Sequence, residues 1–335
     1  MALFSLNDSL LNQTAFTNDT SNVSARPPWY WAIRVLLSIV SILSNALIIF
    51  IITSRQQMRL QPSPNWFFLS LAIADFGVGL FTTPFHMLCI FKSGGCSHFT
   101  WDVVLFITEV FLTSSLTNLC LLTLDCYLAV VHPYTHPTLT RPLACALAIT
   151  AAWFMAFVIE LPYRVLREGT QGMKVYLVVY TIVVTVLPNI CMLLAYIRIV
   201  IVVRKHRRRI RQQEDQVASN QSPGSHNVQE GVTRSRSKQR GLAAVGVVVG
   251  FFLVYSGVYQ YHLTCMLLSP SCSLPNTAPF KITMVLLRYF NSAPNFIIYI
   301  LLKAEFKREV WRMFRCFSCS RADVQGIEMS AQTTN

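Results

Sequence analysis

Charge is what this chain has least of. Of its 335 residues only 13% are Asp, Glu, Lys or Arg, whereas 53% are hydrophobic, and the mean hydropathy is +0.46. A water-facing surface needs more charge than that, which excludes a soluble globular domain. Acids are scarcer than bases, 15 against 28, for a formal net charge of +13. The excess lies mostly on short segments between apolar runs, as the positive-inside rule requires, so no nucleic-acid partner is expected. No nucleophile–base or metal-ligand spacing occurs, which argues against an enzyme. No inverted internal repeat occurs, which argues against a transporter. The first 25 residues lack a basic start followed by an apolar core, so no cleavable signal peptide is expected and the first span must act as the insertion signal.

What the chain has is apolar length. A helix needs roughly 20 apolar residues to cross a bilayer, and candidate spans fall near 29–53, 65–90, 101–131, 142–162, 173–203, 241–268 and 280–302. Lipid cannot satisfy free backbone amides, so these runs must be helices. The expected fold is an all-α membrane protein: a seven-transmembrane helix bundle followed by a short amphipathic surface helix. Residues 1–28 would be an extracellular glycosylated tail and 29–302 the transmembrane domain, with a disordered cytoplasmic loop over 204–240. Residues 303–335 would be a cytoplasmic amphipathic helix and tail.

Four N-x-[S/T] sequons, at Asn7, Asn12, Asn18 and Asn22, precede the first span. Glycosylation is lumenal, so they place the N-terminus outside. Most Lys and Arg then fall inside, the C-terminus is cytoplasmic, and a multi-pass plasma-membrane protein is expected. The basic run 204–209 would meet anionic membrane lipids. Within 210–240, Pro223-Gly224 and the serines beside Arg234 and Arg236 suit either a flexible spacer or a basic-directed kinase site. After the seventh span, Phe306, Val310, Met313 and Phe314 share one helical face, and Cys316 and Cys319 follow as palmitoylation candidates or plain thiols. Cys89, Cys96, Cys265 and Cys272 lie near the oxidising face, and four cysteines allow three pairings. Cys265–Cys272 would close a short outer loop, with Cys89–Cys96 as its partner bond.

Motifs recur one per span: Ser44-Asn45, Leu71-Ala72-Ile73-Ala74-Asp75, Asp125-Cys126-Tyr127, Trp153 with Pro162, Pro188 with Tyr196, and Asn295 with Ile297-Ile298-Tyr299. In this order they resemble the rhodopsin-like (class A) G-protein-coupled receptors, from about residue 30 to 315. The resemblance implies a receptor that couples an extracellular small-molecule, lipid or peptide ligand to a heterotrimeric G protein, with arrestin and receptor kinases as further partners. It assigns coupling and activation roles to Asp125, Cys126, Tyr127, Pro188, Tyr196 and Tyr299. It also places Asn45, Asp75, Ser115, Asn291, Ser292 and Asn295 around the family's sodium pocket, and oxygen donors suit a small alkali ion. A water-bridged polar cluster is the alternative, and no cofactor other than that allosteric ion is expected.

The departures from the family pattern are specific. Cys126 replaces the family's arginine, so weak or altered coupling is expected. A non-signalling decoy, scavenger or heteromer partner is the competing function. The proline of the seventh span, Pro294, precedes Asn295 instead of following it. Val254-Tyr255-Ser256-Gly257 stands where the family has Cys-Trp-x-Pro. The segment from Tyr163 to Gly172 has no cysteine, so the usual bridge from the third span cannot form.

An ionisable side chain within a span is costly and usually faces the bundle interior. Arg288 lies about 10 Å below Lys281 along a helix, and Glu109 lies at a similar depth on the third span. They are placed to pair. Together with Thr108, Tyr259 and His262 they would make a ligand pocket, or else a permanent salt bridge that no ligand touches. A free Arg288 would attract an anion. Glu160 reads as a rim residue. Retinal is excluded because no lysine stands mid-way along the seventh span. An amine of the usual type is disfavoured because Thr108 occupies the family's aspartate position.

Overall fold

The computed structural model describes residues 27–56, 65–91, 96–165, 171–220, 247, 249–258, 278–293, 295 and 307–312. All of the regular structure among them is helical. Helix α1 spans Pro28–Ser54, and a proline at its first position supplies a pre-set φ and gives up only an amide that would have gone unpaired. Helix α2 runs from Asn65 to Phe91. Helix α3 spans His98–Val131 and is capped by Ser97, whose Oγ accepts from the Thr100 amide at 3.2 Å. A single turn at His136–Leu139 leads to α4, Pro142–Val165. Helix α5 runs from Gln171 to Asn220, α6 is described over Val249–Val258, and α7 spans Ala278–Phe290. Residues 307–312 are helical.

Two of these helices contain a wide π turn, Val78–Thr82 in α2 and Thr181–Val186 in α5. Each ends two residues before a proline, Pro84 or Pro188. Proline lacks an amide proton and its ring clashes with the carbonyl four residues back, so the preceding turn must open. Pro162 is carried inside α4 near its end.

Helix α3 is central and packs on α2, α4 and α5, while α1 lies against α2 and α7. Five helices, α1 to α5, are long and apolar enough to cross a membrane; α6 and α7 are described only in part. Their outer faces carry Leu36, Leu43, Phe50, Leu147, Phe154, Ile190, Leu194 and Ile201, all exposed as lipid-facing side chains should be. The inward stripe of α1 is the reverse: Tyr30, Arg34, Ser38, Ser41 and Asn45 are buried at three- and four-residue spacing. Toward the end of α1 an apolar core takes over, formed by Ile48, Ile52, Phe67, Leu71, Leu119, Leu122, Met192 and Phe252.

Two segments differ from expectation. Helix α5 continues to Asn220, well into the stretch expected to be disordered. Residues 204–220 contain no Gly or Pro and are rich in Arg and Gln, good helix formers, so nothing stops the helix before Pro223-Gly224. The rest of that loop lies outside the described residues. Helix α7 is interrupted after Phe290, and Asn295 is again helical; the rest of the expected span to 302 lies outside the described residues. Residues 291–293 form a turn, with the Ser292 and Ala293 amides bonding three residues back to Tyr289 and Phe290. Pro294 explains this, because proline disfavours the α conformation in the residue before it.

Close packing of α2 on α3 requires glycine at position 77. A Cβ there would lie 2.3 Å from the Phe111 ring. That ring is wedged between Phe81, stacked at 5.5 Å, and Trp153, edge-on at 5.9 Å. Gly77→Ala should therefore destabilise the purified protein by about 1–3 kcal/mol, the usual cost of overpacking. Phe111→Leu in the same chain should recover part of that loss in a thermal unfolding measurement.

Candidate functional site

The half of the bundle near the Cys89–Cys96 end holds four ionisable side chains, Arg34, Glu109, Glu160 and Arg288. Glu109 on α3 and Arg288 on α7 meet side by side. Nη1 of Arg288 donates to Oε1 at 2.9 Å and Nη2 donates to Oε2, a two-pronged pair. Their side chains remain 31% and 23% exposed for Arg288 and Glu109 respectively. Arg288 is thus neutralised, and the conditional reading of a free Arg288 does not hold.

Glu160 corrects the sequence reading. It is 5% exposed rather than at a rim, and Oε1 accepts from Thr113 Oγ1 at 2.6 Å and Tyr180 Oη at 3.1 Å. Proximity to Pro162 and Trp153 suggested the rim; the phase that turns it toward α3 and α5 was not visible. Thr108 is buried, and its hydroxyl donates to the Val104 carbonyl at 2.8 Å instead of facing an open pocket. Arg34 is buried against His86, Tyr30, Trp31 and Tyr289. An arginine in the first span of an otherwise apolar helix was the available signal.

Deeper in the bundle, Asp75 has no exposed surface. Ser115 Oγ donates to Oδ1 at 2.7 Å and Asn295 Nδ2 to Oδ2 at 2.6 Å, while Ser41 Oγ bonds the Asp75 carbonyl at 2.9 Å. Asn45 bonds the carbonyls of Ser41 at 2.9 Å and Ser292 at 3.1 Å. Five of the six residues assigned to an ion pocket are therefore buried around one point. Asn291 is the exception: its amide donates to the Leu287 carbonyl and it is half-buried. The Oδ1 atoms of Asn45 and Asn295 have no hydrogen-bond partner among the described residues. Oxygen donors left unsatisfied beside a buried carboxylate fit a small hard cation.

At the opposite end of the bundle, Asp125 does not engage its chain neighbour. His136 Nε2, from the short turn after α3, bonds its Oδ1 at 3.0 Å. Cys126 packs against the apolar core. Tyr127 makes an edge contact with His132 at 5.8 Å. Pro188 and Tyr196 lie on α5, half-buried. Glu309, buried among 307–312, bridges Arg55 at 3.0 Å and Arg312 at 2.9 Å, joining that turn to the end of α1.

Cys89 and Cys96 form a disulfide. The other site calls, Asn7, Asn12, Asn18, Asn22, Tyr259, His262, Cys265, Cys272, Tyr299, Cys316 and Cys319, lie outside the described residues.

Comparison with known proteins agrees with this architecture. The family described as "7 transmembrane receptor (rhodopsin family)" matches residues 44–299. Similar curated proteins include the D(3) dopamine receptor of Mus musculus, 30% identical over 62% of this chain and 50% of that receptor. The D(2)-like dopamine receptor of Takifugu rubripes is 27% identical over 62% of the chain and 47% of its own length. The histamine H2 receptor of Canis lupus familiaris is 25% identical over 87% and 81%. The chain thus spans about half the length of the dopamine receptors it matches. Membership of a receptor family excludes the enzyme class. With the family match covering well over half of the chain, this multi-pass helical membrane protein belongs to the rhodopsin family of seven-transmembrane receptors.

Proposed function

We propose that the protein is a plasma-membrane G-protein-coupled receptor whose extracellular ligand is received beside the Glu109–Arg288 pair. The observation that carries this reading is that pair itself. Two charges on spanning helices keep 31% and 23% of their side chains open, so solvent reaches them within the bundle. A pair that served only as a strut needs no such opening, whereas a site that receives a ligand does. The Cys89–Cys96 bond supports the outside assignment: it lies where α2 ends and α3 begins, and Phe91 there touches Trp31 near the start of α1, with ring centroids 6.3 Å apart. Disulfides persist on the oxidising side, so the same end as the start of α1 is external. Seven spans, the glycosylated tail and the cytoplasmic C-terminus belong to this reading.

Signal transfer would run from the chamber through the Asp75 cluster, which ties α1, α2, α3 and the segment after α7, to the cytoplasmic end. A ligand that binds one packing better than another shifts the population between them. Asn45, Asp75, Ser115, Ser292 and Asn295 would hold a sodium ion that favours the resting packing, supplying a positive charge to the carboxylate. Thermal stability should rise with sodium relative to potassium in the parent protein, and Asp75→Asn should remove that difference.

Dopamine and histamine are natural first probes, given the relatives' names. The geometry disfavours them, since Thr108 offers no charge and Glu109 is already neutralised by Arg288. Amine activation abolished by Glu160→Gln would replace this reading with an amine receptor held by α4.

Single substitutions Glu109→Gln and Arg288→Met should each cost about 1–3 kcal/mol of thermal stability, between the exposed-pair and buried-pair regimes. The double variant should cost less than their sum. Loss of ligand response in the double variant at normal surface expression would identify the pair as part of the binding site; an unchanged response would leave it a strut.

Cys126 lacks the charge that family members present to the G protein, so Cys126→Arg should change basal or evoked second-messenger levels severalfold. Identical signals from both proteins would remove Cys126 from the coupling mechanism. Surface binding with no G-protein recruitment by either protein would favour the decoy function.

A further inference from the structure

Among the described residues, the outer half of the bundle contains one cation with no acid beside it. Arg34 is 2% exposed and sits about 9 Å below the start of α1. Its Nη1 donates to Tyr30 Oη at 3.2 Å and its Nη2 to His86 Nδ1 at 3.2 Å, while Nε has no partner among the described residues. Arginine carries only donors, so His86 Nδ1 must be the acceptor, and that ring is neutral with its proton on Nε2. The two nearby acids are occupied: Glu109 pairs with Arg288, and Glu160 accepts from Thr113 and Tyr180. No ion pair joins Arg34 to a carboxylate among the described residues.

Three aromatic rings surround the guanidinium instead, Tyr289 at 4.6 Å, Trp31 at 5.5 Å and Tyr30 at 5.7 Å from ring centroid to Cζ. Ring faces and two neutral acceptors offset part of the lost hydration, and an anion in the same place would offset more. A lipid-anchoring arginine would extend outward and stay wet. This one is turned inward, against α2 and α7. Tyr289 is next in the chain to Arg288, so the partly exposed Glu109–Arg288 pair and the Arg34 cage adjoin across one half-buried ring.

We propose that Arg34, caged by Tyr30, Trp31 and Tyr289, is a subsite for a carboxylate group of the extracellular ligand. The proposal rests on reading the adjoining chamber as the ligand site. One guanidinium matches one negative charge, and two of its five N–H donors are spoken for, leaving enough to grip both oxygens of a carboxylate. The ring walls suit the apolar body of such a ligand. A carboxylate arriving there gains a counter-charge without displacing an existing acid, which it would have to do at Arg288.

The test uses the purified full-length protein in detergent at fixed ionic strength and sodium, with no G protein present. The thermal unfolding midpoint is measured with sodium benzoate, sodium acetate, neutral benzamide, sodium phosphate and sodium chloride as probes. Benzoate should raise the midpoint by about 2–4 °C at tens of millimolar, the shift expected at several times a weak Kd, and benzamide should not. Arg34→Met should abolish the benzoate shift, and Arg34→Lys should keep a smaller one. Equal shifts from benzoate and benzamide, or a shift that survives in Arg34→Met, would overturn the subsite. Equal shifts from benzoate and chloride would mean an adventitious ion only and overturn it too. Should Arg34→Met fail to fold, the probe series on the parent protein decides alone. Because no signalling is read, a protein that shows the benzoate shift yet never couples refutes the receptor reading and leaves this subsite standing.

Discussion

Everything in the interior is arranged around a carboxylate that water cannot reach. Asp75 is fully buried, and its own oxygens and carbonyl collect bonds from Ser115 on α3, Asn295 beyond α7 and Ser41 on α1. Lipid supplies no hydrogen bonds, so each of those groups must find its partner inside the protein. Four chain segments are therefore held in register by one acid. Removing it would leave several buried donors unsatisfied, and each unmet donor costs about 1–3 kcal/mol. The inward polar stripe of α1 exists for the same reason. Its apolar residues face lipid, where they cost nothing, and its serines and Asn45 face the cluster.

The same rule orders the outer half by charge. Glu109 and Arg288 satisfy one another, and two hydroxyl groups satisfy Glu160. Among the described residues, Arg34 is served by rings and neutral acceptors. Association between helices in lipid gains little from apolar contact, since lipid tails are equally apolar. Polar groups that bond across helices consequently decide which helices neighbour one another. Helix α3 is central because Glu109, Thr113 and Ser115 project toward α7, α4 and α2 in turn.

Much of this was legible in the chain. Apolar runs place the boundaries of α1 to α4 within about three residues, and pairing of Glu109 with Arg288 follows from equal depth alone. What stayed hidden is mostly rotational. Helix α4 is apolar nearly all round, so its sequence does not say whether Glu160 points outward or toward α3; only packing against Thr113 and Tyr180 decides. In the sequence Arg34 is one charge within a span, and nothing in its neighbours along the chain says that it turns inward against α2 and α7. Asn291 shares the composition of the ion cluster but not its position, because the turn before Pro294 breaks the helical phase that would have brought it round. The extension of α5 to Asn220 was missed for a different reason. Polar composition was taken for disorder, although an unbroken run of helix-forming residues adjoining a stable helix only has to propagate, not nucleate.

The end of α3 shows what becomes of an acid whose customary neighbour is missing. Asp125 keeps only 4% of its surface exposed, so its charge needs a donor nearby. Cys126 cannot be that donor, and it packs with the apolar core instead. The bond goes to His136, eleven residues on, in the turn that follows α3. The thiol also removes the one side chain that could have carried a positive charge from α3 toward the neighbouring helices at this level. A constraint that would otherwise tie helices together thus becomes local, fastening the turn His136–Leu139 onto the end of α3. Between α5 and α6, Met192, Val249 and Phe252 share the apolar core, and Ser256 Oγ donates to Asn189 Oδ1 at 2.9 Å. Apolar contacts have little directional preference, so relative movement of the two helices breaks that hydrogen bond but no ion pair among the described residues.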